Sequence, residues 1–315
     1  MTEDPHVRRV LVLAHTGRAE AREVALEFCK GLTGHGIVVR LMATEAADLG
    51  IGPSDYDPAI ELTESETDAS RDCELTLVIG GDGSILRAVE LTYASVTPVL
   101  GVNLGHVGFL AEAEQDDVES TLEAIVERRY TTEDRLTLDV RVYRDGELVT
   151  STFAVNEASV EKAARRRMLE VILEIDGRPL SRWGCDGVVC ATPTGSTAYN
   201  FSAGGPIVWP GVEAMCIVPL SAHALFARPM VVAPTSVIAI EVLARTGGAG
   251  VLWCDGRRAV DLPPGARIEV RRGAKPVRLV RLHDAPFTDR LVAKFGLPVE
   301  GWRGSAERRR KVVDG

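Results

Sequence analysis

The chain has 315 residues, 45% of them hydrophobic and 26% charged, the balance of a globular protein long enough for two domains and a large buried core. Its net charge of -9 argues against nucleic acid as the main ligand, and the short basic run at 307–311 reads as a solvated tail. The start carries no signal pattern, the most apolar region (215–244) is broken by Pro219, His223, Arg228, Pro229 and Pro234, and the six cysteines form no C-x-x-C pair, so a cytoplasmic protein with reduced thiols and no membrane partner is expected.

Residues 8–14 form a short apolar run and predict a buried strand. Residues 19–32 have helical periodicity, with Val24, Leu26, Phe28 and Leu32 near one stripe. Further strands are expected at 37–43, 75–79 and 98–103, and a helix at 116–129. Strands alternating with helices imply parallel pairing through right-handed crossovers. The first part is therefore expected to be an α/β domain with an open parallel sheet, with ligands outside the carboxyl ends of its strands. The acidic segment 44–73, rich in Gly, Pro, Ser, Asp and Thr, reads as a long mobile loop.

After residue 130 the period becomes two. Residues 136–149 alternate around Asp145-Gly146 and residues 169–180 around Asp176-Gly177, both strong hairpin signals. Strands are also expected at 237–244 and 266–272. This predicts an α/β domain at 1–130 followed by a β-rich, sandwich-like domain at 131–284. The helical stretch 287–295 makes 285–315 a candidate to cross back to the first domain.

Three stretches carry candidate chemistry. The first is "GGDGS", Gly80 to Ser84, between a predicted strand and a predicted helix. Gly80, Gly81 and Gly83 let backbone amides approach a ligand, and the helix start favours an anion. Asp82 is either a helix cap or, in phosphoryl transfer, a group that accepts a hydroxyl proton or helps hold a cation. The spacing is not that of a dinucleotide fingerprint. The second is Asn156-Glu157, which suits ribose hydroxyls, the amide donating and the carboxylate accepting; alone such a pair is more often a turn or strand end. The third, residues 184–210, packs Thr192, Thr194, Ser196, Thr197 and Ser202 among five glycines, the composition of a ligand-lining loop. Tyr199 offers a flat face for a base. His223, among apolar neighbours, reads as a satisfied core residue, and His106 as a loop residue near a ligand mouth.

These motifs in order ("GGDGS", "NLGHVGFL", "NE" and "DGVVCATPTGSTAYNFSAGGP") resemble the ATP- or polyphosphate-dependent NAD kinases, in their actinobacterial branch, from about residue 8 to 303. The resemblance implies transfer of a terminal phosphoryl group to the 2′-hydroxyl of the adenosine ribose of NAD, giving NADP. It implies ATP or inorganic polyphosphate as donor, a divalent cation, Mg most of all, and a homodimer or homotetramer. Carried over by motif, Asp82 is the proton acceptor and Gly83 a backbone contact beside it. Arg87 meets phosphate, Asn156 and Glu157 contact the adenosine and its ribose, and Asp186 contacts the dinucleotide's other end. Thr197, Ala198, Tyr199, Asn200, Phe201 and Ser202 form the loop that reads adenine, and Arg167 lies near the new phosphate. The resemblance names no metal ligands.

Departures from the family pattern are Ser84 for threonine, Cys190 for a serine whose loss is expected to alter local ligand affinity, Gly184 for a polar residue, and His106 for arginine or asparagine. Because lipid kinases and phosphofructokinases share the G-G-D-G turn, a lipid kinase is the rival enzyme. The rival outside catalysis is a module that binds NAD(P) without turnover.

Overall fold

The computed structural model describes residues 7–51, 58–105, 108–114, 117–164, 167–244, 248–283 and 285–299. The first part of the chain runs through β1 (Arg9–Ala14), α1 (Ala19–Gly34), β2 (Val38–Met42), α2 (Ala43–Asp48), β3 (Ile60–Thr63), β4 (Leu75–Ile79), α3 (Asp82–Thr92), β5 (Val99–Asn103), β6 (Ala113–Glu114), α4 (Val118–Val126) and β7 (Thr131–Arg135). It continues through β8 (Leu138–Arg144), β9 (Glu147–Ala154), β10 (Glu157–Lys162), β11 (Leu169–Ile175), β12 (Arg178–Cys185), β13 (Gly187–Ala191), a 3-10 turn at Thr194–Thr197 and the short α5 (Tyr199–Ser202). The rest comprises β14 (Met215–Leu220), β15 (Met230–Val232), β16 (Ile238–Val242), β17 (Gly250–Cys254), β18 (Arg258–Leu262), β19 (Arg267–Arg272), β20 (Val277–Arg281) and α6 (Phe287–Phe295). Contacts divide the chain into two compact units: Met1–Ile85 with Leu100–Thr131 and Val280–Gly315, and Leu86–Val99 with Thr132–Leu279. Among the described residues no helix is long and apolar enough to cross a membrane.

The first unit is built on a parallel sheet of order β3-β2-β1-β4-β5, with β6 beside β5. Val12 of β1 sits opposite Leu41 of β2 and Leu77 of β4. β4 and β5 are buried at every position, so these strands read as unbroken apolar runs rather than alternating ones. Helix α1 buries Ala21, Val24, Ala25, Phe28, Cys29 and Leu32. Leu26, expected on that stripe, is 40% exposed, because at 3.6 residues per turn it points well away from Val24 and Phe28.

The expectation of one long loop at 44–73 is wrong. The segment contains most of α2 and the edge strand β3, which pairs parallel to β2. Its charges are spent on structure. Glu45 is buried and accepts the Ala14 N–H at 2.9 Å. Glu61 takes Arg9 at 3.1 Å and Arg40 at 2.8 Å. Glu112, whose side chain is 1% exposed, accepts from Arg281, Arg290 and the N–H groups of Leu282 and His283, which fixes the entry to α6. Phe287 and Phe295 of α6 pack their rings on Phe109.

The second unit holds two six-stranded antiparallel sheets, β15-β14-β13-β10-β17-β18 and β12-β11-β16-β19-β8-β9. Val160, Val188, Ile217 and Leu252 of the first sheet share a core with Val140, Val171, Ile240 and Ile268 of the second, the arrangement of a sandwich. Asp145 (φ 51°) with Gly146 (φ 83°), and Asp176 (φ 53°) with Gly177 (φ 75°), close two of its hairpins with the left-handed pairs that match strand twist.

Candidate active site

In the first unit β4 ends at Ile79 and the chain turns at Gly80, whose φ of 153° and N–H bond to the Val102 carbonyl (2.9 Å) fix the exit from the sheet. A side chain at Gly80 would meet Ser84 Oγ at 2.5 Å. At Gly81 and Gly83 a Cβ would meet nothing within 4 Å. Here the backbone is open to a ligand, beside the positive dipole end of α3, whose Ser84 and Ile85 N–H groups are both taken by the Gly81 carbonyl. Asp82 opens that helix. Its Oδ2 accepts the Phe109 N–H at 3.1 Å and its Oδ1 the Leu110 N–H at 3.2 Å. Gly108 is required beside them, since a Cβ there would lie 2.4 Å from Asp82 Oδ1. The "GGDGS" and "NLGHVGFL" stretches thus meet at one carboxylate. His106 lies outside the described residues. Arg87 is half-buried on α3, in the second unit.

The second unit builds its candidate site on the turn between β9 and β10. Asn156 and Glu157 stand there because Asp255 bends the backbone. The Asp255 carboxylate accepts the N–H groups of Val155 (2.9 Å) and Asn156 (2.7 Å), and its own N–H donates to the Glu157 carbonyl (2.9 Å). Sequence reasoning missed Asp255. The signal was present: Asp255-Gly256 is a third Asp-Gly turn, with φ of 55° and 64°, joining β17 to β18. Nothing local told of its partners a hundred residues away.

The hydroxyl-rich stretch clamps the same turn. Thr192 Oγ1 donates to the Val155 carbonyl (2.5 Å) and accepts the Gly195 N–H (3.0 Å). The Thr192 N–H donates to the Asn156 carbonyl (2.9 Å). A Cβ at Gly195 would lie 1.9 Å from that carbonyl oxygen, so only glycine fits. Ser196 Oγ donates to the Pro193 carbonyl (2.6 Å) and accepts the Val208 N–H (2.9 Å). Thr192, Thr194 and Ser196 are therefore buried loop-builders, whereas Thr197 and Ser202 reach the surface.

Glu157 is buried and accepts the Tyr199 N–H at 3.2 Å. Burial, and then the nearby Asp255 charge, push its carboxyl up to about 8. With its carboxyl raised, Glu157 in its protonated form can donate to a hydroxyl, while its carboxylate form accepts from one. Burial also pushes Asp255 up, against the pull of its backbone donors and Arg258. Tyr199 and Phe201 are exposed and half-buried Ala198 leads into them. Burial and the charges of Glu161, Glu157 and Asp186 raise the Tyr199 phenol. Asn200 is fully buried, its Nδ2 donating to the Ser196 (3.2 Å) and Pro206 (3.0 Å) carbonyls. Asp186 is half-exposed between β12 and β13 and ion-paired with Lys162. Arg167 is exposed.

Two readings need correction. His223 is exposed rather than a core residue, and its N–H bridges to the Gly184 carbonyl (2.8 Å). Cys190 faces the sandwich core, fully buried, so its thiol meets apolar packing instead of a ligand. Gly184 is filled from outside by Met168, whose sulfur would lie 2.5 Å from a Cβ there.

Residues 10–130 match the family model of the ATP-NAD kinase N-terminal domain and residues 155–282 that of the ATP-NAD kinase C-terminal domain. An NAD kinase of Thermobifida fusca is 59% identical over 306 residues, spanning 96% of this chain and 93% of that protein. NAD kinase 2 of Streptomyces coelicolor is 58% identical over 305 residues, spanning 97% and 99%. The crystal structure of a yeast NADH kinase complexed with NADH superposes with a TM-score of 0.84 at 26% identity, covering 94% of this chain and 89% of that one. A crystal structure of an NAD kinase from Archaeoglobus fulgidus in complex with ATP gives a TM-score of 0.65 at 26% identity, covering 92% and 98%.

Proposed function

The chain belongs to the NAD kinase family, and on that premise we propose how its residues divide the work of converting NAD to NADP. The protein is a phosphotransferase that phosphorylates NAD, with ATP as donor. The observation that carries the proposal is one turn pairing open backbone at Gly81 and Gly83 with the Asp82 carboxylate. The Gly80–Ser84 turn receives the donor phosphates at Gly81 to Gly83, since the Gly80 and Ser84 N–H groups are already bonded to the Val102 and Gly81 carbonyls. Asp82 faces the 2′-hydroxyl of the adenosine ribose and takes its proton as the oxygen–phosphorus bond forms and ADP leaves. A loose phosphoryl-transfer transition state asks for this base only late. Arg87 steadies phosphate charge, and Arg167 attends the new phosphate.

Asn156 and Glu157 bind the adenosine side of NAD, Glu157 as a hydrogen-bond donor when protonated. Thr197, Ala198, Tyr199, Phe201 and Ser202 form the adenine loop, with the exposed Tyr199 ring as its stacking face. Buried Asn200 supports that loop from beneath. Asp186 contacts the nicotinamide end. A divalent cation, Mg2+ by its taste for phosphate oxygen, fits a site of this kind. Such an ion is held mainly by nucleotide phosphates and one or two carboxylates. It needs no convergence of three acidic, His or Cys side chains, and none occurs among the described residues. Bound there, it would neutralise charge on the transferred group, with Asp82 as the carboxylate nearest the donor turn.

Inorganic polyphosphate as a second donor, a cytoplasmic location and a homodimer or homotetramer complete the proposal. Exposed Trp209, Val212, Leu225, Phe226 and Val231 of the second unit support assembly, since apolar side chains in number on a surface favour burial against a partner. Turnover is tested with ATP or polyphosphate against NAD or NADH, reading NADP through an NADP-specific dehydrogenase and NADPH directly after separation. Phosphorylation of neither dinucleotide with either donor would overturn the assignment.

A further inference from the structure

Asp255 and Arg258 belong to neither substrate in the reading above, yet they join two elements that do. Asp255 is 7% exposed and gathers the N–H groups of Val155, Asn156 and, at 3.4 Å, Glu157. Successive N–H groups in a strand point to opposite sides, so three in a row can reach one carboxylate only from a bent backbone. The acid therefore sustains the bend that takes Asn156 off the strand path. Arg258 donates from Nη2 to Asp255 Oδ2 at 2.6 Å, and its Nε lies 3.1 Å from Glu90 Oε1 as an ion pair without hydrogen-bond alignment. Its guanidinium rests 4.1 Å from the centre of the Phe153 ring, which stacks on Tyr93 at 3.7 Å. Glu90 also takes Arg257, at 3.1 Å to both oxygens. Glu90 lies about two turns along α3, the helix that opens at Asp82.

We propose that Asp255 and Arg258 are positioning residues for the phosphoryl acceptor: Asp255 sets the Asn156–Glu157 turn, and Arg258 ties that turn to α3 through Glu90. Neither touches substrate. The proposal rests on the reading of Asn156 and Glu157 as NAD contacts. It goes beyond that reading by making their placement depend on a buried acid and its arginine.

The test is steady-state kinetics on the full chain. Asp255→Asn keeps the volume but turns an amide against one of the N–H groups. It is expected to raise KM for NAD about tenfold, the equivalent of one well-made buried hydrogen bond, while KM for ATP moves by less than about twofold. In a chain that already carries N156A and E157A, the same substitution is expected to add less than about twofold, because positioning acts only through what it positions. Arg258→Met is expected to follow the same split. Arg258→Lys, which keeps the charge but not the fork, is expected to recover part of the loss. If Asp255→Asn does not fold, the two Arg258 variants carry the test. The proposal is overturned if the variants leave KM for NAD unchanged, raise both KM values alike, or keep their full penalty in the N156A/E157A background. If N156A/E157A itself leaves KM for NAD unchanged, the reading of that pair as a contact is what fails, and the positioning role falls with it.

Discussion

A carboxylate placed beside a phosphate-binding turn would be repelled by its ligand unless something held it to one side. In this protein the Phe109 and Leu110 amides hold Asp82, one on each oxygen. Asp82→Asn can satisfy only one of them and cannot accept a proton. Its kcat is expected to fall on the order of 10²–10⁴-fold, with a stability loss of about 1 kcal/mol for the orphaned amide. Gly83→Ala separates phosphate access from folding. A Cβ there meets no atom within 4 Å, so the free protein is expected to stay as stable or gain up to about 1 kcal/mol, while kcat/KM for ATP falls about tenfold or more. Equal ATP kinetics would mean that phosphates do not approach this backbone. Glu157 gives a pH signature. Its folded value, about 8, lies above the ordinary 4.5. Between those values the folded state keeps a proton that the unfolded state has released, so stability falls as pH rises through roughly 5 to 8 and levels off above. Glu157→Gln is expected to flatten that slope in denaturant midpoints compared at about pH 5.5 and about pH 8.5.

At the scale of elements, the acceptor turn is held by fit as much as by bonds. Gly195→Ala would drive a methyl into the Asn156 carbonyl and is expected to cost about 1–3 kcal/mol, with KM for NAD rising as the turn shifts. Glu112 is the corresponding fixture for α6. Replacing it by alanine strands Arg281 and Arg290 and is expected to cost about 3–5 kcal/mol, with early hydrogen exchange in α6. Much of this architecture was legible in the sequence where local chemistry decides it. β4 and α6 fall on their expected residues because an apolar run and an amphipathic pattern are local signals. The Asp145-Gly146 and Asp176-Gly177 turns were legible because left-handed backbone demands those residues. What was illegible depends on distant partners. The charges of 44–73 looked like loop until Ala14, Arg9 and Arg40 paired with them. Thr192 and Ser196 looked like ligand groups until the turn they clamp was in place. Asp255 carried the same turn signal as its two counterparts, but its bonds to residues 155 and 156 are set only when β10 meets β17.

At the scale of the whole molecule, the exposed apolar side chains of the second unit bear on assembly. Leu225→Asp with Phe226→Asp is expected to lower the mass seen by light scattering, without unfolding, since both side chains stand at the surface. The family relation spans nearly the whole chain, and the protein converts NAD to NADP; Asp82 is proposed to do chemistry that binding does not need. The most direct measurement runs wild type and Asp82→Asn side by side, following NADP formed from ATP, magnesium and NAD, together with calorimetric NAD affinity for each. NADP is expected from the wild type, and from the variant near-native NAD affinity with turnover all but lost. Full turnover by Asp82→Asn, or no NADP from the wild type, would contradict it.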